Sequence, residues 1–302
     1  MQETPLISNE SGESDESAAR PNFGRAHHCI RPPQIKIEEP STMNRNPQAP
    51  VALVTGAAKR IGKHIALTLA QRGWDVVVHY GHSANEAAQV VSEIHALDRR
   101  AIALQADLAD ESAVRQLLPQ AIAALGAVHC VVNNASLFEE DDASSSTQHR
   151  LDQHMHANLA APILLAQALH AATPEGQQSC VINLLDQKLY NLNPDFLSYT
   201  LSKAALQCAT TTLAQALAPK VRVVGIAPGL TLPSYLQTPE AFNETHRLSP
   251  IGESSTPEDI ADAVLFAIRN RAITGTTLLV DGGQHLLHLP RDFSLLTTKG
   301  NS

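Results

Sequence analysis

The sequence predicts a single Rossmann-type α/β domain: a doubly wound, seven-stranded parallel sheet with helices on both faces. Three observations predict it. From residue 51 onward, short apolar runs rich in Val and Ile alternate with amphipathic stretches of helical period. The first apolar run ends in a glycine turn that leads straight into a helix, Thr55-Gly56-Ala57-Ala58-Lys59-Arg60-Ile61-Gly62. After residue 50 no linker divides the chain and no internal repeat occurs. Strand and helix alternate because parallel strands need a crossover, and the crossovers cover both faces of the sheet. Right-handed crossovers place ligands beyond the carboxyl ends of the strands.

Residues 51–55 form the first strand and 61–72 the first helix, which Gly73 stops. The continuous run Val76-Val77-Val78 makes 75–80 a strand buried on both faces, followed by a helix at 84–97. Residues 101–107 are the third strand and 111–125 the third helix, closed by Gly126. Four further strands fall at 128–133, 180–185, 221–226 and 277–280, separated by helices at 147–171, 198–217 and 257–269. The domain spans 50–283. Residues 1–49 carry Ser, Glu, Pro and Asn without period and cannot bury enough apolar surface to offset their ordering entropy. They are expected to be a disordered extension, with Met43 as an alternative start. Residues 284–302 form a C-terminal tail.

The formal net charge of −8 argues against a nucleic-acid partner, which calls for a basic face. No run of about 18 apolar residues predicts a membrane span. The N-terminus lacks the basic start and apolar core of a signal peptide. Cys29, Cys130, Cys180 and Cys208 form no C-x-x-C pair, and the last three sit in apolar stretches. They read as buried free thiols in a reducing, cytoplasmic compartment, with no metal site.

The chemistry-bearing residues stand at strand ends. The Gly56–Gly62 turn presents free N–H groups at a helix N-terminus to a diphosphate, although an ordinary strand-to-helix turn has the same look. The second strand ends in His79-Tyr80-Gly81-His82-Ser83, without the acid that an NAD site uses to hold a ribose 2′-hydroxyl. A 2′-phosphate meets no repulsion there, and Arg60, His82 and Ser83 are candidate donors, which predicts NADP(H). Ala106-Asp107-Leu108 closes the third strand and Asn133-Asn134-Ala135-Ser136 the fourth; each serves either as a turn or cap or as a dinucleotide contact. Tyr199 and Lys203 lie at i and i+4, on one helix face. A phenol near pKa 10 is a poor acid, and a neighbouring ammonium is expected to make it a better one. Asn158 sits mid-helix, either solvated or with a polar task.

Together these motifs resemble the short-chain dehydrogenase/reductase family over 51–283, in which the glycine loop, N-N-A-G, helix asparagine, serine, Y-x-x-x-K and P-G recur in this order. The P-G is Pro228-Gly229. The resemblance implies proton transfer by Asn158, Tyr199 and Lys203, with Lys203 also on the nicotinamide ribose and Thr231 at the carboxamide. Two departures look like the pteridine reductase branch: Arg60 replaces the second loop glycine, and Asp186 replaces the catalytic serine. His79-Tyr80, Asn134-Ala135-Ser136 and the aromatic Phe138 agree with that branch; Gly81-His82 does not, since a basic residue is common there. The branch implies NADPH, a pterin-like small molecule stacked on Phe138, proton delivery by Asp186, Tyr199 and Lys203, and an Arg60 that touches cofactor phosphate and reaches substrate. The family further implies a homotetramer, with Arg291 a candidate to reach a neighbour's site. A ketone or oxoacyl reductase would keep the serine; a non-catalytic NADP(H) sensor would lose the tyrosine or the lysine. The segment 230–256 is the expected substrate loop.

Overall fold

The computed structural model of the chain describes residues 49–296. Met43 and the 1–49 extension, except its last residue, lie outside the described residues, as do Cys29 and the end of the tail.

Seven parallel strands form one sheet: β1 (Val51–Val54), β2 (Asp75–Tyr80), β3 (Ala101–Gln105), β4 (Val128–Asn133), β5 (Ser179–Leu184), β6 (Val221–Pro228) and β7 (Thr277–Val280), in the order β3-β2-β1-β4-β5-β6-β7. The order reverses between β1 and β4, so the loops after these two strands diverge and leave a crevice at the carboxyl edge. The expected Rossmann-type sheet is borne out. The helices are α1 (Arg60–Gln71), α2 (Ala84–His95), α3 (Glu111–Leu125), α4 (Gln148–Met155), α5 (Ala161–Ala172), α6 (Leu197–Ala216), α7 (Pro239–His246) and α8 (Pro257–Arg269).

Strand residues alternate between two cores. Ala52 and Val54 of β1 join Ile65, Leu69 and Val264 on one face, while Val51 and Leu53 join Leu117, Leu165 and Leu169 on the other. Each fully buried aliphatic side chain contributes roughly 1.5–3 kcal/mol, which is why the strand residues that face these two cores are apolar. α1 ends in a Schellman turn: Gly73, at φ +88°, donates to Ala70 O and Trp74 donates to Leu69 O. α8 begins in a reciprocal capping box between Thr256 and Asp259. At its far end the buried Arg222 of β6 donates to the carbonyls of Ala267, Ile268, Asn270 and Ile273 at 2.8–3.1 Å.

The differences from the sequence reading are local. β3 stops at Gln105 rather than residue 107, because Asp107 turns the chain by accepting from Ala109 N at 2.9 Å. The helix expected over 147–171 is interrupted by a π-helical turn, His156–Ala160. The expected loop 230–256 contains α7. Cys130 and Cys180 are buried as expected, but Cys208 is exposed, on the outer face of α6. Among the described residues, no helix is long and apolar enough to cross a membrane.

Arg222→Met removes the cation that satisfies four carbonyls at the end of α8. The variant is expected to lose about 3 kcal/mol of stability, read as a lower urea midpoint at an unchanged m-value.

Candidate active site

The loop after β1 is built by backbone shape. Gly56 adopts φ +63°, and a Cβ on Gly62 would stand 2.3 Å from Gly56 O and 2.5 Å from Asn134 Nδ2. Glycine alone lets α1 start this close to β4. Asn134 Nδ2 donates to Thr55 O at 2.8 Å, while Thr55 Oγ1 accepts from the N–H groups of Asn134 and Ala135 at 2.9 and 3.0 Å. Lys59, the N-cap of α1, makes no side-chain cap, so nothing of that kind covers the first-turn N–H groups. Arg60 sits at φ +53°, a conformation that usually favours glycine. Its Nη2 donates to Pro233 O at 3.0 Å, across the mouth of the cleft. Arg60 therefore lies with the loop after β6. The cation bridging α1 to the start of α2 is Lys59, paired to Glu86 at 2.7 Å. His82 is exposed, and Ser83, the N-cap of α2, makes no capping bond with its side chain.

His79 supports this loop from beneath. Its Nδ1 accepts from Gly56 N at 3.1 Å, which requires the proton on Nε2, 3.2 Å from Ala106 O. With its ring buried and both nitrogens engaged, it reaches the cofactor region only through Gly56. Burial lowers its pKa to about 4, against a smaller opposing effect of the Ala106 carbonyl. Tyr80 packs on the core, Asp107 and Leu108 turn the chain after β3, and Ile61 lines the cleft.

The cleft, about 640 Å³, is lined by Arg60, Asn134, Ser136, Phe138, Asp186, Tyr199, Lys203, Pro228, Gly229 and Thr231 among others. Tyr199 Oη donates to Asp186 Oδ2 at 2.7 Å, and Asp186 Oδ1 accepts from Lys188 N at 2.8 Å. Lys203 Nζ donates to Leu184 O at 2.7 Å and stands 5.8 Å from the Tyr199 ring centre. Asn158 is buried in the π-helical turn. Its Oδ1 accepts from Leu137 N at 2.7 Å, and its Nδ2 donates to Leu137 O and Ser202 Oγ at 2.9 Å each. A solvated Asn158 is thereby excluded; the widened turn aims it at the loop after β4. Thr231 is also engaged, with Oγ1 2.9 Å from Gly229 O and 2.8 Å from Ser255 Oγ. A Cβ on Gly229 would meet Ser254 Oγ at 2.4 Å, which explains the glycine after Pro228.

The electrostatics correct one expectation. Enclosure by the protein, the largest cause, and the Asp186 carboxylate, the next, raise the Tyr199 phenol well above its ordinary value. Enclosure likewise raises Asp186, against opposing bonds from Lys188 N–H and Tyr199. Burial lowers Lys203 to about 8. The group that faces the phenol hydroxyl is thus a carboxyl rather than the ammonium.

Phe196, Asp141, Asp292, Phe293 and Ser294 were not found from sequence. Phe138 stacks on Phe196 at 4.3 Å and meets the Tyr199 ring edge-on at 4.7 Å. Phe196 is itself at φ +56° and cannot cap α6; Asp141 does so, accepting from Ser198 N at 3.0 Å. The only local sign of this was the acidic run Glu139-Glu140-Asp141-Asp142. The tail returns over the cleft through Asp292, Phe293 and Ser294. Arg291 pairs within its own chain, Nε lying 2.9 Å from both Asp195 oxygens.

A family model described as enoyl-(acyl carrier protein) reductase matches residues 56–285. The chain belongs to the short-chain dehydrogenase/reductase family. It is 30% identical over 243 residues to the 3-oxoacyl-[acyl-carrier-protein] reductase FabG of Staphylococcus aureus, covering 78% of this chain and 98% of that protein. FolM alternative dihydrofolate reductase 1 from Brucella canis, solved with NADP, is 42% identical at a TM-score of 0.76, over 79% of this chain and 94% of that one. The Brucella suis protein, also with NADP, is 41% identical at 0.74, over 79% and 96%. The motif order that suggested this family, and its pteridine reductase-like branch, is borne out.

The depressed His79 pKa carries a sign. The neutral ring stabilises the fold fully above about pH 6.5, and this contribution is lost as pH falls toward 4. Denaturant unfolding at pH 7 and 4.5 is expected to show a loss of about 2 kcal/mol that His79→Gln, neutral at both pH values, largely removes.

Proposed function

We propose that this enzyme is an NADPH-dependent reductase that delivers hydride to a C=N bond of a pterin-like N-heterocycle. The observation that carries the proposal is the Asp186–Tyr199 hydrogen bond, 2.7 Å long, at the floor of a cleft walled by Phe138. The two FolM neighbours support the reading; the FabG relatives support the alternative, reduction of a ketone or oxoacyl substrate.

The residues present fit a dinucleotide. The Gly56–Gly62 cradle leaves no room for a Cβ at Gly62, and the N-terminus of α1 offers N–H groups to a diphosphate. Gly56, Ile61, Asn134, Ala135 and Ser136 hold one side, Pro228, Gly229 and Thr231 the other, and Lys203 the nicotinamide ribose. NADPH supplies the hydride. Lys59, Ser83 and His82 hold the 2′-phosphate, which moves this role away from Arg60; Arg60 serves the substrate side.

The chain's own part is the proton. Hydride adds to the carbon of C=N and the nitrogen takes a proton from Tyr199 Oη, so that CH–NH forms. Tyr199 is resupplied by Asp186, which takes the replacing proton from solvent and whose raised carboxyl holds a proton longer than an ordinary carboxylate does. Turnover therefore falls as pH rises through the Asp186 titration, above the usual carboxylate range. Both Asp186 oxygens are engaged, by Lys188 N–H and by Tyr199, so Asp186 acts through the phenol. It does not replace the serine hydroxyl as a second donor to a ketone oxygen. Once ionised, it would repel an oxyanion at 4 Å by about 4 kcal/mol at an effective dielectric of 20. Phe138, backed by Phe196, offers a flat face to a planar ring. A homotetramer is part of the same proposal.

Assays with NADPH should show turnover of dihydropterins exceeding that of simple diketones. Efficient diketone reduction with no dihydropterin activity would overturn the substrate class. Tyr199→Phe is expected to lower kcat by about 10²–10⁴ while NADPH binding is retained. Asp186→Ser should cut dihydropterin turnover sharply.

NADPH should exceed NADH by at least about tenfold in kcat/KM, or about 1.4 kcal/mol. Lys59→Ala should raise the KM for NADPH more than that for NADH, whereas Arg60→Ala should act chiefly on the KM of the pterin. Equal use of the two cofactors by the parent enzyme would refute the 2′-phosphate site.

A further inference from the structure

Lys188 is 1% exposed, among the most deeply buried side chains in the protein, and neither the fold nor proton delivery as described requires a cation there. A buried ammonium costs several kcal/mol unless it is paired, and a buried ion pair is itself a poor stabiliser compared with apolar packing. Its surroundings explain it. Nζ pairs with Asp292 Oδ2 at 2.8 Å, bonds Asn193 Oδ1, and lies 5.6 Å from the centre of the Phe196 ring. Its backbone N–H holds Asp186 Oδ1. One residue thus touches the carboxyl beside Tyr199, the aromatic that backs Phe138, and the tail.

Asp292 is equally committed. Its Oδ1 accepts from Ser294 N and Oγ at 3.0 and 2.7 Å, and its own N–H donates to Asp195 Oδ2 at 2.7 Å. Asp195 is held in turn by Arg291. Residues 291–294 are therefore fastened to the segment between Asp186 and α6, and Asp292, Phe293 and Ser294 become one wall of the cleft.

We propose that Lys188 and Asp292 are positioning residues for proton delivery, their ion pair docking the C-terminal tail as a wall of the substrate cleft and setting the electric field at the Asp186 carboxyl. The proposal rests on the role given above to Asp186. The charged and titratable groups around that carboxyl are Lys188 on its own turn, Tyr199 and Lys203 from α6, Asp292 from the tail, and Arg60 and Glu139 across the cleft. After enclosure and the two hydrogen bonds, Asp292 raises Asp186 and Lys188 lowers it. The two partners thus act on the same proton with opposite signs.

The test is the pH profile of kcat/KM for the NADPH-loaded enzyme with 7,8-dihydrobiopterin as probe. Asp292→Asn should move the descending limb to lower pH and Lys188→Met should move it to higher pH, each by about one pH unit. Both should raise the KM for the pterin several-fold and leave NADPH affinity unchanged. A purely structural pair would shift both profiles alike or neither, and either result overturns the proposal. If Lys188→Met does not fold, Asp292→Asn decides alone: a limb at lower pH supports the proposal and an unmoved limb overturns it. Asp186→Ser separates the two levels. If it abolishes the limb while the other variants leave it in place, only the coupling falls. If it retains both limb and turnover, the role of Asp186 falls and the coupling with it.

Discussion

The site depends on one close approach, that of the loop after β1 to the loop after β4. Thr55 accepts two hydrogen bonds from Asn134 and one from Ala135 there, and α1 starts against them only because Gly62 has no Cβ. A doubly wound sheet opens a crevice wherever its strand order reverses, but the crevice needs a defined width before a dinucleotide can lie in it. These bonds set that width. His79 adds a third fixed point, tying Gly56 to the end of β3 through a ring that burial keeps neutral.

On this frame the catalytic groups are held by polar side chains that are themselves buried and paired. Asn158 joins the loop after β4 to Ser202 on α6, which also carries Tyr199 and Lys203. A regular helix would turn Asn158 elsewhere, so the π-helical turn is the backbone's accommodation to this bond. Asp141 caps α6 from a distant loop because Phe196, left-handed and stacked on Phe138, makes no cap of its own. Proton chemistry needs its heavy atoms placed to within fractions of an ångström, and these bonds supply the placement.

The charge pattern differs from the simple expectation of a phenol activated by a lysine. Tyr199 faces a carboxyl, and both resist ionisation because protein encloses them. These two groups lie 2.7 Å apart in one hydrogen bond, and each holds a proton longer than usual. The buried Lys188–Asp292 pair sits behind these two groups, and the tail enters the site through it.

The strands, most helices, and the order Gly56–Gly62, Asn134, Asn158, Asp186, Tyr199, Lys203 and Pro228-Gly229 were legible in the sequence, because periodicity and turn chemistry act within short windows. The family followed from that order. The direction of single side chains did not. That Arg60 reaches Pro233, 173 residues on, and that Lys59, its neighbour, pairs with Glu86 at the start of α2 could not be read from the loop. The cap that Asp141 gives α6 was not legible, and Lys188 and Asp292, 104 residues apart, were invisible as a pair. Local sequence decides which element forms and where it turns. Which polar groups meet is decided when distant elements pack, since a buried charge must find its partner wherever the fold brings one.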